Sequence, residues 1–213
     1  MTAIPPRPVR RLAIAAIAAM SALTTCSLLS GPPPHLYRVT SQSTFSAELP
    51  RLPVQLQVDP PSVPSGFDGP RIALTRSPVT LDYFAESEWT DRVPALIQAA
   101  LAQSFENSKA VIVIDRESAG LRSDFVLTSE FRHFEAVYDA ADKAPTIWVA
   151  ANLRLVKLPE HDIVAQGTFE HRQLAAANTM IPIVEAFDAA LGTVIQDIVV
   201  WTATNPALSR RRR

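Results

Sequence analysis

Three carboxylates, Glu86, Glu88 and Asp91, crowd around Trp89 in the stretch LDYFAESEWTDRVPALIQAALAQSFEN, Leu81 to Asn107, where they read as an acidic turn between an extended piece and a helix. Carboxylates held that closely can divide the work of general acid and general base. Acidic residues ahead of a helix also have a simpler use, because they complement the positive end of its dipole. A second titratable cluster, Glu160, His161 and Asp162, sets an imidazole between two acids. It follows Leu158-Pro159, which marks a solvated turn between strands. The histidines at 35, 133, 161 and 171 show neither H-x3-H nor H-E-x-x-H spacing, so no metal centre is predicted. Glycines 31, 66, 69, 120, 167 and 192 are too scattered to cradle a phosphate, and there is no G-x-S-x-G elbow. The expectation is no catalytic residue, no cofactor and no metal. An exported enzyme using Glu86, Glu88, Asp91 and His161 is the weaker reading.

The aromatic residues point toward binding. Tyr83 and Trp89 flank the acidic stretch, and aromatics beside charges at the end of an element are common in protein interfaces. A hydrophobic staple at the helix start explains them equally well. Trp148 falls on the strand face opposite Ile147 and Val149, beside Asn152 and Arg154, as either a minor core contact or an interface anchor. Trp201 ends an apolar helix and reads as core. Tyr83, Trp89 and Trp148 are therefore the candidate interface residues.

The elements that would position them follow from periodicity. Val93, Leu96, Ile97, Ala100, Leu101 and Phe105 recur at the spacing of one helical face, with Pro94 in the first turn and Thr90 or Asp91 as cap. A second helix, Thr179 to Trp201, carries Val184, Phe187, Leu191, Val194, Ile195 and Ile198 as its stripe. Leu52 to Val58 alternates as an edge strand bearing Pro53, and the apolar run Lys109 to Asp115 reads as a strand covered on both sides. Asp124 to Tyr138 is a long strand whose phase breaks near Arg132, the mark of a bulge. Thr146 to Leu158 turns Ile147, Val149, Ala151, Leu153 and Leu155 inward, and Ile163, Ala165, Gly167 and Phe169 continue on the next strand. Two amphipathic helices and a sheet with one apolar face predict an α+β two-layer sandwich. Its sheet is mixed and mostly antiparallel, with both long helices packed on one face.

The N-terminus reads as an export signal. Arg7, Arg10 and Arg11 precede the apolar run Leu12 to Leu23, which is shorter than the roughly 20 residues of a membrane span. The single cysteine, Cys26, follows directly. It resembles the acylated cysteine of a bacterial lipobox, with Leu23 in pattern and Thr25 where a smaller residue is usual. The alternatives are a signal peptide cut elsewhere or an uncleaved anchor. Loss of residues 1–25 removes three arginines and no acid. That leaves 17 basic against 21 acidic residues, a charge of −4, and −8 without the terminal arginines Arg210 to Arg213. Such a body is not built for nucleic acid, which would call for a basic patch. The expected organisation is a lipoprotein signal over 1–25, a Pro-rich membrane tether over 26–50, an α+β domain over 51–204 and an Arg-rich tail over 205–213.

The pieces RIALTRSPVTLDYFAESEWTDRVPALIQAALAQSFENS, DFVLTSEFRHFEA and VEAFDAALGTVIQDIVVWT carry a family likeness from about Arg71 to Thr202. Tyr83, then Trp89 opening the first helix, the Arg132-His133-Phe134 element and the terminal Trp201 stand in its order. This pattern resembles the auxiliary lipoprotein component of Mce-type ABC transport systems, the PqiC-like family. The resemblance implies a non-catalytic, lipid-anchored, periplasm-facing protein, expected at the outer membrane of a Gram-negative cell. Its implied partners are the Mce-family substrate-binding protein with its ABC permease and ATPase, for trafficking of lipid or another hydrophobic substrate. It also implies a homo-oligomer. A scaffold or assembly lipoprotein of another envelope machine is the competing non-enzymatic reading.

Overall fold

The computed structural model describes residues 32–45, 48–114, 122–139 and 143–209. Cys26, the leader and the Arg210 to Arg213 tail lie outside the described residues. In chain order the elements are β1 (His35–Tyr37), β2 (Gln55–Val58), β3 (Arg71–Ser77), β4 (Thr80–Trp89), α1 (Val93–Ser108), β5 (Ile112–Ile114), β6 (Phe125–Val137), β7 (Thr146–Lys157) and β8 (Asp162–Leu174), then α2 (Met180–Ala203) and the short α3 (Pro206–Ser209).

The strands form one open mixed sheet. Its long ladders are antiparallel, β6 with β7 and β7 with β8. The parallel pairings are short, and two of them share the other edge of β6. There β2 lies against Phe125–Leu127, and β3 against Ala136 and Val137. Asp59 and Ser62 bond to β6 between these two, so the chain bridges the split. Alternation decides which side is covered. Ile147, Val149, Ala151, Leu153 and Leu155 are all buried beneath the helices, while Trp148, Asn152 and Arg154 face away from them. The bulge falls between Phe131 and His133, where the broken phase places it, and it sets His133 on the outer face.

Both helices pack on one side. The predicted stripe of α1 is wholly buried, and so are Phe187, Leu191, Val194, Ile195 and Ile198 of α2. Val184 is only half-buried, and Ile183 takes the inward position. At the centre, Trp89 lies edge-on to Phe187 at 5.3 Å and 5.6 Å from Phe134. Gly167 lets α2 approach β8, because a Cβ there would lie 2.9 Å from the Phe169 ring and 3.3 Å from Trp201.

Several expectations are corrected. Residues Glu86 to Trp89 are not a turn but the end of the long strand β4, which pairs with β1 and β3. The cap of α1 is Arg92, whose N–H bonds the Asp91 carboxylate at 2.7 Å, and neither Thr90 nor Asp91 occupies the cap position. The strand around Leu56 is internal, between β5 and β6, and Pro53 lies ahead of it. The run around Val113 is instead the edge, with Ile112 exposed. The folded body also begins well before residue 51. β1 pairs with β4, Thr40 bonds Asp188 on α2, and Gln42 bonds Ser104 on α1. The physical reason is plain in hindsight: no proline stands between Pro34 and Pro50, so nothing keeps that segment from pairing and docking.

Candidate docking surface and cleft

On the sheet face opposite α1 and α2, one row of side chains crosses four strands. Glu135 on β6 stands opposite Trp148 on β7, which stands opposite Arg172 on β8. The His133 imidazole stacks on one face of the Trp148 indole, centroids 3.3 Å apart and planes 10° apart. The Arg172 guanidinium covers the other face at 3.9 Å. His133 Nδ1 lies 2.6 Å from Glu135 Oε1, and the Thr75 hydroxyl of β3 donates to Glu135 Oε2. Glu135 is only 6% exposed, and a carboxyl group this buried is costly unless each oxygen finds a hydrogen-bond partner. Both do. Arg172 is held in turn by Glu170 at 3.1 Å.

Further along the face, Arg132 pairs with Glu130 at 3.4 Å. With its amide oriented to satisfy both neighbours, Asn152 accepts from Arg132 at 2.8 Å and donates to Thr168 at 2.9 Å. Arg154 completes this part of the meander. Arginine and tryptophan held this way supply large contact area at low entropic cost, which is the chemistry of an interface anchor.

Beside the row lies a cleft of about 710 Å³. Its floor is β6 and Trp148. Its walls are the β3–β4 hairpin, from Thr75 to Leu81, and the loop at Pro64, Gly66 and Phe67. Tyr83 braces that loop by donating to the Gly66 carbonyl at 2.8 Å, under the Arg71 guanidinium at 3.6 Å. Tyr138, at the far side, donates to Asn178 at 2.7 Å. Burial pushes its phenol above the ordinary value, and the positive charge of Arg76 partly offsets this.

The three candidate interface residues fare differently. Trp148 is half-buried on the outer face, and Tyr83 is half-buried near the cleft wall. Trp89 is 1% exposed and cannot meet a partner, because the core needs its ring. The proposed acid–base residues do not converge. β4, with Glu86 and Glu88, lies beyond β3 at the Val137 end of β6, whereas His161 turns at the end that holds Phe125. Among the described residues no three His, Cys, Asp or Glu side chains could hold a metal, and no helix is long and apolar enough to cross a membrane. Sequence reasoning missed the pairing of Glu135 with His133. Their spacing of two on one strand face was the available signal.

A family model described as the ABC-type transport auxiliary lipoprotein component matches residues 36–199. The chain belongs to this family. The match takes in β2 to β8, α1 and most of α2, and it begins inside β1. The family is one of lipoproteins that serve ABC transport, which places the chain with the cell envelope and with an ABC transport system. Its role as a transport auxiliary is consistent with a non-enzyme. The crystal structure of protein XCC0632 from Xanthomonas campestris is similar at TM-score 0.73 and 26% identity, over 79% of this chain and 94% of that one. An uncharacterized protein of 15% identity shares the fold at TM-score 0.61, over 79% of this chain and 97% of that one. The uncharacterized protein bll6063 of Bradyrhizobium diazoefficiens is 29% identical over 119 residues, 56% of this chain. The aligned stretch spans 31% of that protein's length.

Proposed function

We propose that this chain is a non-catalytic, lipid-anchored subunit that faces the periplasm from the outer membrane. In this reading it docks an Mce-family substrate-binding protein and, through it, the ABC permease and ATPase that move a lipid or other hydrophobic substrate. The observation that carries it is family membership over residues 36–199. The leader ending at Cys26 supports the anchor, with two or three acyl chains giving stable attachment. The face around Trp148, Arg132 and Arg154 supports the dock, because it offers aromatic and guanidinium groups on a sheet side that neither helix covers. A body at −8 is steered by charge but held by such contacts.

The same reading includes self-association, with a sheet edge of one copy meeting a different region of its neighbour, as a head-to-tail ring requires. Among the described residues β8 pairs only with β7, so it has an edge to offer.

The test is affinity capture of the protein from native membranes, with intact-mass measurement and identification of co-captured subunits. Expected are loss of residues 1–25, added acyl mass on Cys26, and an Mce partner whose capture falls about tenfold in Trp148→Ala combined with Arg154→Glu. An unacylated protein, or a folded one that brings down no such partner, would overturn the reading. Light scattering on residues 27–213 checks the ring, and a strictly monomeric species at high micromolar concentration would exclude it.

A further inference from the structure

We propose that the cleft beside Trp148 binds a single acyl chain ending in an anionic head, either a free fatty carboxylate or a monoacyl phospholipid. This goes beyond the docking role and stands on the cleft alone. Its volume, about 710 Å³, lies within the range of about 300–1,000 Å³ usual for ligand sites. Its apolar groups are Phe67, Val79, Leu81, Val137 and Trp148. Val79 is 91% exposed and Leu81 38% exposed, so apolar surface at the mouth stands in water until something apolar covers it.

The polar groups decide the head. Both oxygens of Glu135 are engaged, by His133 and by Thr75, so the buried carboxylate is closed to a cationic ligand. Both faces of the Trp148 indole are covered, by His133 and by Arg172, so no aromatic box is open to a quaternary ammonium. The Tyr138 hydroxyl donates to Asn178. Two groups remain. Arg76 reaches Asp82 only at 3.9 Å with both side chains more than half exposed, and its guanidinium stands 5.5 Å over the Tyr138 ring. His133 has engaged Nδ1 with Glu135, which leaves Nε2 as its one further polar atom. Asp139 is also exposed at the rim, and water and salt screen it and Arg76 alike, so a fatty amine is the probe that separates the two signs of head. A cleft with apolar walls and a loosely held guanidinium fits an apolar chain with an oxyanion at its end.

The experiment uses the full chain in its own membrane, treated with three photoreactive, tagged probes: a diazirine oleate, a diazirine monoacyl phosphatidylglycerol and a diazirine fatty amine. Crosslinked peptides are mapped by mass spectrometry. The expected result is label on Pro64–Phe67, Thr75–Leu81 and Trp148 from one or both anionic probes, several-fold above the amine. Label from oleate alone assigns the free carboxylate, and label from the phospholipid alone assigns the lipid head. Arg76→Gln and Leu81→Asp, both at exposed positions, each lower the signal about fivefold, with circular dichroism confirming the fold. Equal labelling by the amine, label mapping elsewhere, or no change in both variants overturns the proposal. Capture of the Mce partner is read in the same membranes, so absence of labelling in the unsubstituted protein with capture intact sinks this proposal alone.

Discussion

The imidazole of His133 lies flat on the indole of Trp148, 3.3 Å between centroids, and the same imidazole is tied to the buried carboxylate of Glu135 at 2.6 Å. Ring and carboxylate thus hold each other in place on the sheet face opposite α1 and α2. Removing either should cost more than its own contacts. In His133→Ala the Glu135 carboxylate loses one of its two partners while still buried, a penalty of about 1–3 kcal/mol. The double change His133→Ala with Glu135→Leu leaves no buried carboxyl group short of a partner and should be milder than the sum of the single changes. Urea unfolding of the four species measures the coupling, expected at about 1 kcal/mol or more. Additive single changes would mean that the pair is not coupled.

Trp89 tests the boundary between core and surface. Its ring touches Phe134 and Phe187, so Trp89→Ala should lose about 3–5 kcal/mol of stability. Trp148→Ala, on the outer face, should lose much less while lowering partner capture. Denaturant midpoints for both variants settle the assignment. A stable Trp89→Ala protein that no longer captures its partner would return Trp89 to the interface.

How much of this was legible in the sequence follows from whether the signal is local. The α1 stripe from Val93 to Phe105 and the inward set from Ile147 to Leu155 are periodic within one element, and their burial follows. The bulge at Arg132 is local as well. Which of Leu56 and Val113 sits at the sheet edge is not, because a short apolar run reads alike with one neighbour or two. Glu86 to Trp89 look like turn residues by composition, yet pairing with β1 and β3 extends them as strand, since tertiary pairing overrides propensity. The row from Thr75 through Glu135 and Trp148 to Arg172 draws on four strands, and no window of sequence contains it.

Tyr138 gives the fold a pH dependence with a definite sign. Burial raises its phenol above the unfolded value of about 10, so the folded state favours the neutral form. That contribution is complete below about pH 10 and is lost as pH rises through the folded value. Tyr138→Phe removes the titrating group and the bond to Asn178, costing about 1 kcal/mol at neutral pH. The gap between wild type and variant should therefore narrow above pH 10. Unfolding free energies at pH 8 and pH 11 check this, and a gap that widens would contradict it.

The last prediction concerns where the folded body begins. Thr40 donates its N–H to Asp188 at 2.6 Å and its hydroxyl at 2.8 Å, and Gln42 donates its N–H to Ser104 at 2.9 Å while accepting from Asn107 at 2.9 Å. The segment thus lies across both helices, and Gly192 leaves room for the Gln42 side chain. Ahead of it, β1 pairs with Ser87 to Trp89, next to the aromatic cluster. A chain that starts at residue 51 gives up these bonds, exposes apolar surface covered by Val39, Phe45 and Leu49, and bares the end of β4 as an edge. It should melt at least 10 °C below a chain that starts at residue 32, since each kcal/mol moves Tm by roughly 2–4 °C in a domain of this size. Asp188→Ala in the longer chain should give a small part of that loss, about 1–2 kcal/mol. Calorimetry on the three proteins measures both. Equal melting of the two chain lengths would restore residue 51 as the start of the domain and make the preceding stretch a tether after all.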